Sequence, residues 1–323
     1  MIGDVIWLQI LLLVGGLVLI VLGADWLVDG ASGVARRFGL SEFVIGLTIV
    51  GMGTSAPEMV VSFIGAFQGN ADIAIGNVVG SNIMNTLLIL GLTALILPIA
   101  VSRTNRKRDI PVNVGITVLL IVLGLAYTLF GLGSADGLSH MDGAILLTAF
   151  VVYMWSCFRT GKADTEDTPA KRRNIGLCIL MIAAGLAGLI FGGNLFVDNA
   201  TELAHTMGVS DKFIAITILA GGTSMPELAT CVVAAAKKKG QLALGNIIGS
   251  NVFNILLILG GSALIHPLSF EHITYVDLGV LLASALVLVS SLFIGEKNKI
   301  DRLDGALFLL LWAGYMAYLI VKL

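Results

Sequence analysis

The sequence predicts an all-α polytopic membrane protein, with ten transmembrane helices arranged as two inverted five-helix repeats. Three observations predict it. Of 323 residues, 57% are hydrophobic and only 12% are charged, with a mean hydropathy of +0.97, so lipid rather than water is the solvent for most of the chain. The basic residues are sorted onto alternate connections, and the chain repeats itself at a fixed offset.

Apolar stretches of about twenty residues are long enough to cross a bilayer core of about 30 Å. Ten of them lie near residues 5–34, 41–67, 73–99, 110–131, 141–158, 174–204, 210–236, 242–265, 274–294 and 303–321. The first is expected to be a span and not a cleaved signal, because MIGDV carries no basic n-region and the apolar run continues into polar helix.

The connections separate by charge. Arg36 and Arg37 follow the first span; Arg103, Arg106, Lys107 and Arg108 the third; Arg159, Lys162, Lys171, Arg172 and Arg173 the fifth; Lys237, Lys238 and Lys239 the seventh; Lys297, Lys299 and Arg302 the ninth. That places 17 of the 19 basic residues on one side, which the positive-inside rule makes the cytoplasm. Both termini then lie outside, in a cell inner (plasma) membrane. The four histidines fall on or near the opposite side and read as solvated loop residues. Cys157, Cys178 and Cys231 sit in or beside apolar helix without pairing or metal spacing, and read as packing residues.

The repeat is carried by GTSAPE at 53–58, which returns as GTSMPE at 222–227. Sliding the chain by this 169-residue offset, without gaps, also aligns GADWLVDGAS with GGNLFVDNAT and IAIGNVVGSNIMNTLLILGLTALILP with LALGNIIGSNVFNILLILGGSALIHP. Five spans per half is an odd number, so the second copy must enter the membrane from the opposite face. Residues 1–160 form the first repeat and 174–323 the second. The stretch 161–173, mixed in charge and holding Gly and Pro, reads as a cytoplasmic linker.

Each GTS-x-PE segment interrupts an apolar helix. Pro57 and Pro226 cannot donate to the carbonyl four residues back, which frees carbonyls around Gly53, Thr54, Gly222 and Thr223. Thr54, Ser55, Thr223 and Ser224 add hydroxyls, and Glu58 and Glu227 add charge. An all-oxygen set without thiolate or imidazole suits calcium, sodium or protons and argues against zinc or copper. The third span of each half adds a polar stripe at i, i+4 and i+8: Asn77, Ser81 and Asn85, then Asn246, Ser250 and Asn254. Gly76, Gly80, Gly245 and Gly249 each stand one residue before a member of these stripes and allow close helix approach.

A single Pro kink or GxxxG pattern in a membrane helix is ordinary packing. A carboxylate at membrane depth is not, since its burial costs at least a few kcal/mol, and here it occurs twice in duplicate settings. Asp25, Asp29 and Asp198, near the ends of spans one and six, read instead as residues that cap, pair or meet water. A channel would need a filter segment or a symmetric pore, and none is legible. A membrane-embedded acid–base enzyme would need a nucleophile, metal or cofactor beside its carboxylates, and only Cys231 stands near. No nucleic-acid partner is expected from a chain of net charge −2 with its basic residues in membrane-flanking loops.

The paired GTS-x-PE segments, each followed by GN-x-x-GSN-x-x-N, resemble the two alpha repeats of the cation/calcium antiporter superfamily, the sodium/calcium exchangers and their prokaryotic relatives. The resemblance covers essentially the whole chain. It implies alternating-access exchange of calcium against sodium at a midplane site, with no cofactor, since both ions are cargo. Apart from the resemblance, a monomer in the lipid bilayer is the expected unit. By position, it implies that Glu58 and Glu227 with the Thr54 and Thr223 carbonyls hold calcium. One sodium site would use Ser55 and Ser81 with Glu227 and the Gly51 carbonyl, and the other Ser224 and Ser250 with Glu58 and the Ala220 carbonyl. Asn85 and Asn254 would line the centre. Several exchangers carry aspartate where this chain has Asn254, so two carboxylates stand here instead of three, and proton/calcium exchange stays open beside sodium coupling.

Overall fold

The computed structural model describes residues 2–133, 135–160, 174–206, 220–271, 273–293 and 298–322. The expected linker 161–173 and the beginning of the span at 210–236 lie outside the described residues. The helices are α1 (Ile2–Phe38), α2 (Glu42–Ile45), α3 (Gly51–Thr54), α4 (Ala56–Phe67), α5 (Ala71–Ile83), α6 (Leu90–Ile96), α7 (Ile110–Gly124), α8 (Ala126–Phe130) and α9 (His140–Thr160). They continue with α10 (Ile175–Thr206), α11 (Ala220–Gly222), α12 (Met225–Ala236), α13 (Gly240–Val252), α14 (Gly260–Ile265), α15 (Tyr275–Ser290) and α16 (Arg302–Lys322). π-Helical stretches at Gly46–Val50, Met84–Ile89 and Phe253–Leu259 join α2 to α3, α5 to α6 and α13 to α14 into continuous rods.

Among the described residues, six helices are long and apolar enough to cross a membrane, or seven when the bent pair Glu42–Thr54 and Ala56–Phe67 is taken as one span. Three further expected spans, at 110–131, 210–236 and 274–294, fall on the shorter helices α7, α12 and α15. The surface matches this reading. Trp7, Leu11, Phe67, Trp155, Phe191 and Leu310 all stand more than half exposed, a cost in water and a gain in lipid. The chain is a multi-pass membrane protein.

Burial is uneven. In the α13–α14 rod 94% of the most apolar window is buried, whereas in α1 and α10 the share is 22% each. The rod of α13 is the centre of the molecule, with every residue from Leu242 to Val252 buried, while α1 and α10 lie against each other at the periphery. Their seam is made by glycine. A Cβ on Gly16, Gly23 or Gly30 would stand 2.7–2.9 Å from main-chain oxygens of Gly192, Gly185 and Cys178 respectively, a spacing of seven residues that keeps one face of each helix in contact.

Loops expected on one side meet on one side. β1 (Ile99–Ala100) pairs antiparallel with β4 (Lys299–Ile300), Arg302 Nε donates to the Leu95 carbonyl at 3.1 Å, and Gln241 reaches the Ala100 carbonyl. At the other end β2 (Gly137–Leu138) pairs with β3 (Leu268–Ser269). Lys237, just past α12, bridges Asp25 and Asp29 of α1 at 2.7 Å each, so those two aspartates pair as the sequence suggests. Partial burial works against the Lys237 ammonium, but the bonds and charges of the two aspartates outweigh it and hold it above the ordinary lysine value.

Candidate cation site

The two GTS-x-PE turns are places where a helix stops and restarts. In the first, α3 ends at Ser55 (φ −81°, ψ 9°) and α4 begins with Pro57 in its first turn, leaving the two segments bent by 49°. In the second, Thr223 and Ser224 form the turn between α11 and α12, with Ser224 at φ −88°, ψ 7° and Pro226 in the first turn of α12. The expected interruption is therefore present twice, in nearly the same conformation. It also seats Glu58 and Glu227 in the first turn of α4 and α12, where the helix dipole favours a carboxylate. Both are 1% exposed.

The bonds around them come in reciprocal pairs across the molecule. Ser55 Oγ donates to Glu227 Oε1 at 3.0 Å, and Ser224 Oγ to Glu58 Oε1 at 3.2 Å. Thr54 Oγ1 donates to Asn246 Oδ1 at 3.1 Å, and Thr223 Oγ1 reaches Asn77 Oδ1 at 3.5 Å. Asn254 Nδ2 donates to Asn82 Oδ1 at 2.9 Å, and Asn85 Nδ2 to Asn251 Oδ1 at 3.2 Å. Each half supplies donors to the acceptors of the other, so the expected polar stripes do face the carboxylate turns. Asn77 Nδ2 further donates to the Glu58 carbonyl and to Ser62 Oγ, both at 3.1 Å. The matching contact of Asn246 Nδ2 is Cys231 Sγ at 3.2 Å, so Cys231 supports the site's frame in the place that Ser62 holds in the first half.

Two serines are exchanged relative to the expected groups. Ser250 joins Ser55, with its Oγ 3.4 Å from Glu227 Oε1 and 3.5 Å from the Gly51 carbonyl. Ser81 joins Ser224 and Glu58, with the Ser224 hydroxyl 3.3 Å from Ser81 Oγ. The resemblance pairs Ser55 with Ser81; the fold pairs each GTS turn with the stripe serine that crosses it from the other half. Gly51 O also accepts from the Ser55 N–H at 3.0 Å. Ala220 opens α11.

Four oxygens in this cluster are buried without a protein partner: Glu58 Oε2, Glu227 Oε2, Asn85 Oδ1 and Asn254 Oδ1. Each glutamate thus has one oxygen on serine hydroxyls and one unused. Unpaired buried acceptors are costly, and four in matched positions are the oxygen chemistry that a cation would satisfy. Among the described residues no three His, Cys, Asp or Glu side chains gather elsewhere into a metal site. A cavity of about 660 Å³ borders the cluster, lined by Gly80, Met84, Gly222, Met225, Asp277 and Tyr315.

Sequence reading missed Asn82, Asn251 and Thr86. The first two stand in the GSN letters of each motif, and their 2% exposure marks them as buried polar residues that need partners. Their presence in both copies was the available signal.

A family model described as "Sodium/calcium exchanger protein" matches residues 8–159 and 177–321. "Sodium/calcium exchanger MaX1" of Methanosarcina acetivorans is 33% identical, over 98% of this chain and 99% of its own length. "Inner membrane protein YrbG" of Escherichia coli is 37% identical, over 85% and 86%. Among solved structures, the sodium-calcium exchanger NCX_Mj soaked with 10 mM Na+ and zero Ca2+ matches with a TM-score of 0.84 and 35% identity, over 97% of this chain and 99% of that one.

Proposed function

The chain belongs to the sodium/calcium exchanger family of cation/calcium antiporters, and from that premise we propose that it exchanges calcium against sodium by alternating access at the Glu58–Glu227 cluster. The observation that carries the reading is the split bonding of the two carboxylates. Glu58 Oε2 and Glu227 Oε2 are unused, while each Oε1 is met by serine hydroxyls. Calcium, which takes six to eight oxygens, fits between the two free carboxylate oxygens with the Thr54 and Thr223 carbonyls. Sodium fits on the flanks, one ion at Ser55, Ser250, Glu227 and the Gly51 carbonyl, the other at Ser81, Ser224, Glu58 and the Ala220 carbonyl. Asn85 and Asn254 line the centre. Both cargoes draw on the same two glutamates, so they exclude each other.

Charge balance fits this exchange. Two carboxylates neutralise one calcium or two sodium ions, and a third sodium would leave the loaded site at +1. Four hydroxyls at matched sequence positions, three of them on the glutamate oxygens and the fourth, Ser81, on Ser224, favour sodium over protons, which would need only the carboxylates.

The ten-span, inverted-repeat architecture belongs to the same proposal, supported by the reciprocal bonds between the halves and by the meeting of basic loops at one end. That end is the cytoplasmic side of an inner membrane, which puts both termini outside and leaves 161–173 as the cytoplasmic link between the halves. The 660 Å³ cavity, whose lining includes Ile273 and Asp277 near β3, is then the outer approach. The pair α1 and α10, joined along a glycine seam, is the part that slides in this reading. A monomer suffices.

Sodium-loaded proteoliposomes holding the purified protein should take up calcium when diluted into sodium-free medium, with no pH gradient imposed. Calcium uptake that follows a pH step and ignores sodium would replace sodium with protons as the coupling ion.

A further inference from the structure

The main-chain oxygen of Asn251 can only accept, so the Asn82 atom 3.2 Å away is Nδ2. That turns Asn82 Oδ1 the other way, where it accepts from Asn254 Nδ2 at 2.9 Å. With its nitrogen used, Asn254 is left with Oδ1 buried and free of any protein partner. Each bond in this chain forces the next, and the end of the chain is an oxygen.

The other half lacks such an anchor. Asn85 Nδ2 donates to Asn251 Oδ1 at 3.2 Å, and Asn251 Nδ2 donates to Thr86 Oγ1 at 3.0 Å. A hydroxyl both donates and accepts. The relay is satisfied equally well in reverse, with Thr86 donating to Asn251 Oδ1, Asn251 Nδ2 donating to Asn85 Oδ1, and Asn85 Nδ2 left over. The residue matching Thr86 in the second half is Ile255, which has no hydroxyl.

We propose that Asn82 is a positioning residue that, anchored on the Asn251 carbonyl, holds Asn254 as a fixed oxygen donor for the cation, whereas Asn85 is held by a reversible relay through Asn251 and Thr86. The inference rests on the exchanger reading above. It gives the two central amides, equivalent in the repeat, different duties: one always offers oxygen, and the other can withdraw it. A cation is favoured by an amide oxygen and repelled by an amide N–H, so losing the anchor weakens the site even though Asn82 touches no ion.

The test is a mutant cycle in proteoliposomes, measuring the KM for calcium in sodium-driven exchange for the parent, Asn82→Ala, Asn254→Asp and the double variant. In the parent background Asn82→Ala frees the Asn254 amide to turn, and KM should rise on the order of tenfold with kcat changed far less. An aspartate presents oxygen whichever way it turns, and it clashes with Asn82 Oδ1. In the Asn254→Asp background Asn82→Ala should therefore change KM less than about twofold, or lower it. An equal loss in both backgrounds would mean that Asn82 only packs, and no loss in the parent background would mean that Asn254 needs no anchor; either result overturns the inference. Should Asn82→Ala fail to reach the membrane, Asn82→Val, which fills more of the volume without an acceptor, carries the same cycle. A parent protein without sodium-driven calcium exchange would sink the exchanger reading itself, a result separate from either outcome of the cycle.

Discussion

The seam between α1 and α10 and the seam between α13 and the segment Phe43–Leu47 both depend on glycine, yet they hold the molecule in opposite ways. Along α1 and α10 the glycines recur every seven residues, and a Cβ there would lie 2.7–2.9 Å from main-chain oxygens of the partner helix. At α13 the approach is tighter, with a Cβ on Gly245 or Gly249 only 2.2 or 2.3 Å from the carbonyls of Phe43 and Leu47. The second seam is also pinned by side chains farther along the same rod, through Thr54 to Asn246 and Ser250 to the Gly51 carbonyl. The Lys237 bridge to Asp25 and Asp29 ties α1 to the end of α12 and does not cross the first seam. A smooth seam without directional bonds can slip, and a bonded one fixes geometry to within fractions of an ångström. In the proposed exchange cycle the peripheral pair supplies the movement and the core the ion recognition.

Removing charge from the core should have the largest effect. Glu58→Gln and Glu227→Gln each keep the side chain's shape while halving the site's charge, and several kcal/mol of calcium binding should go with it. Exchange in proteoliposomes should fall by roughly a hundredfold or more, with folded protein still recovered from the membrane. Robust calcium transport by either variant would move recognition out of the core.

Methyl groups placed on the two seams sharpen the contrast. Gly249→Ala should cost about 3 kcal/mol or more, because the bonded core cannot shift to admit a Cβ. Gly23→Ala should cost about 1–2 kcal/mol and slow exchange, since its helix can move off its partner. Gly15, with nothing described within 4 Å of its Cβ position, should tolerate alanine. Thermal unfolding in detergent gives the order, and equal costs at Gly249 and Gly23 would erase the distinction between the seams.

The exchanged serines give a third test. Ser55 and Ser250 both meet Glu227 Oε1, so alanine at either should raise the sodium needed for half-maximal exchange by roughly tenfold, and the double variant should lose little more. Ser55 meets Glu227 whereas Ser81 joins Glu58 through Ser224, so their effects should multiply. Multiplication within the first pair and saturation within the second would restore the grouping that the resemblance implies.

The smallest effect is expected at the basic loop. Replacing Lys237, Lys238 and Lys239 together should leave exchange nearly intact, since partly exposed ion pairs contribute below about 1 kcal/mol and other loops keep the charge bias. The Lys237 pairs stabilise below the unfolded lysine value and are lost only as pH rises through the higher folded value, so Lys237→Met alone and the parent should keep the same stability difference from about pH 6 to 9. Complete loss of exchange in correctly inserted protein would make the loop part of the moving machinery.

Much of this was legible in the chain. Pro57 and Pro226 announced the breaks because a missing N–H acts locally, and Glu58 and Glu227 stood out because a carboxylate is costly at membrane depth. The contacts of Ser81 and Ser250 differ from the grouping that the resemblance implies, because spacing places them on a face of a helix but does not say which turn from the other half crosses that face. The asparagine chain was hidden for a related reason. Asn82 and Asn251 bond to each other's half, and only the crossing of two helices reveals that one of them ends on a main-chain oxygen. Close approach by glycine was legible as a pattern and is present at Gly245 and Gly249, whereas Gly76 and Gly80 have no described atom within 4 Å.

The claim at the centre is that calcium and sodium occupy the same two carboxylates in turn. Calcium uptake into proteoliposomes, measured against calcium concentration at several fixed external sodium concentrations, tests it most directly. The expected result is competitive inhibition, with the KM for calcium rising as sodium rises while the maximal rate stays constant, and with both abolished in Glu58→Gln. Sodium that lowers the maximal rate and leaves the KM for calcium unchanged would place it at a separate site and contradict the shared carboxylates.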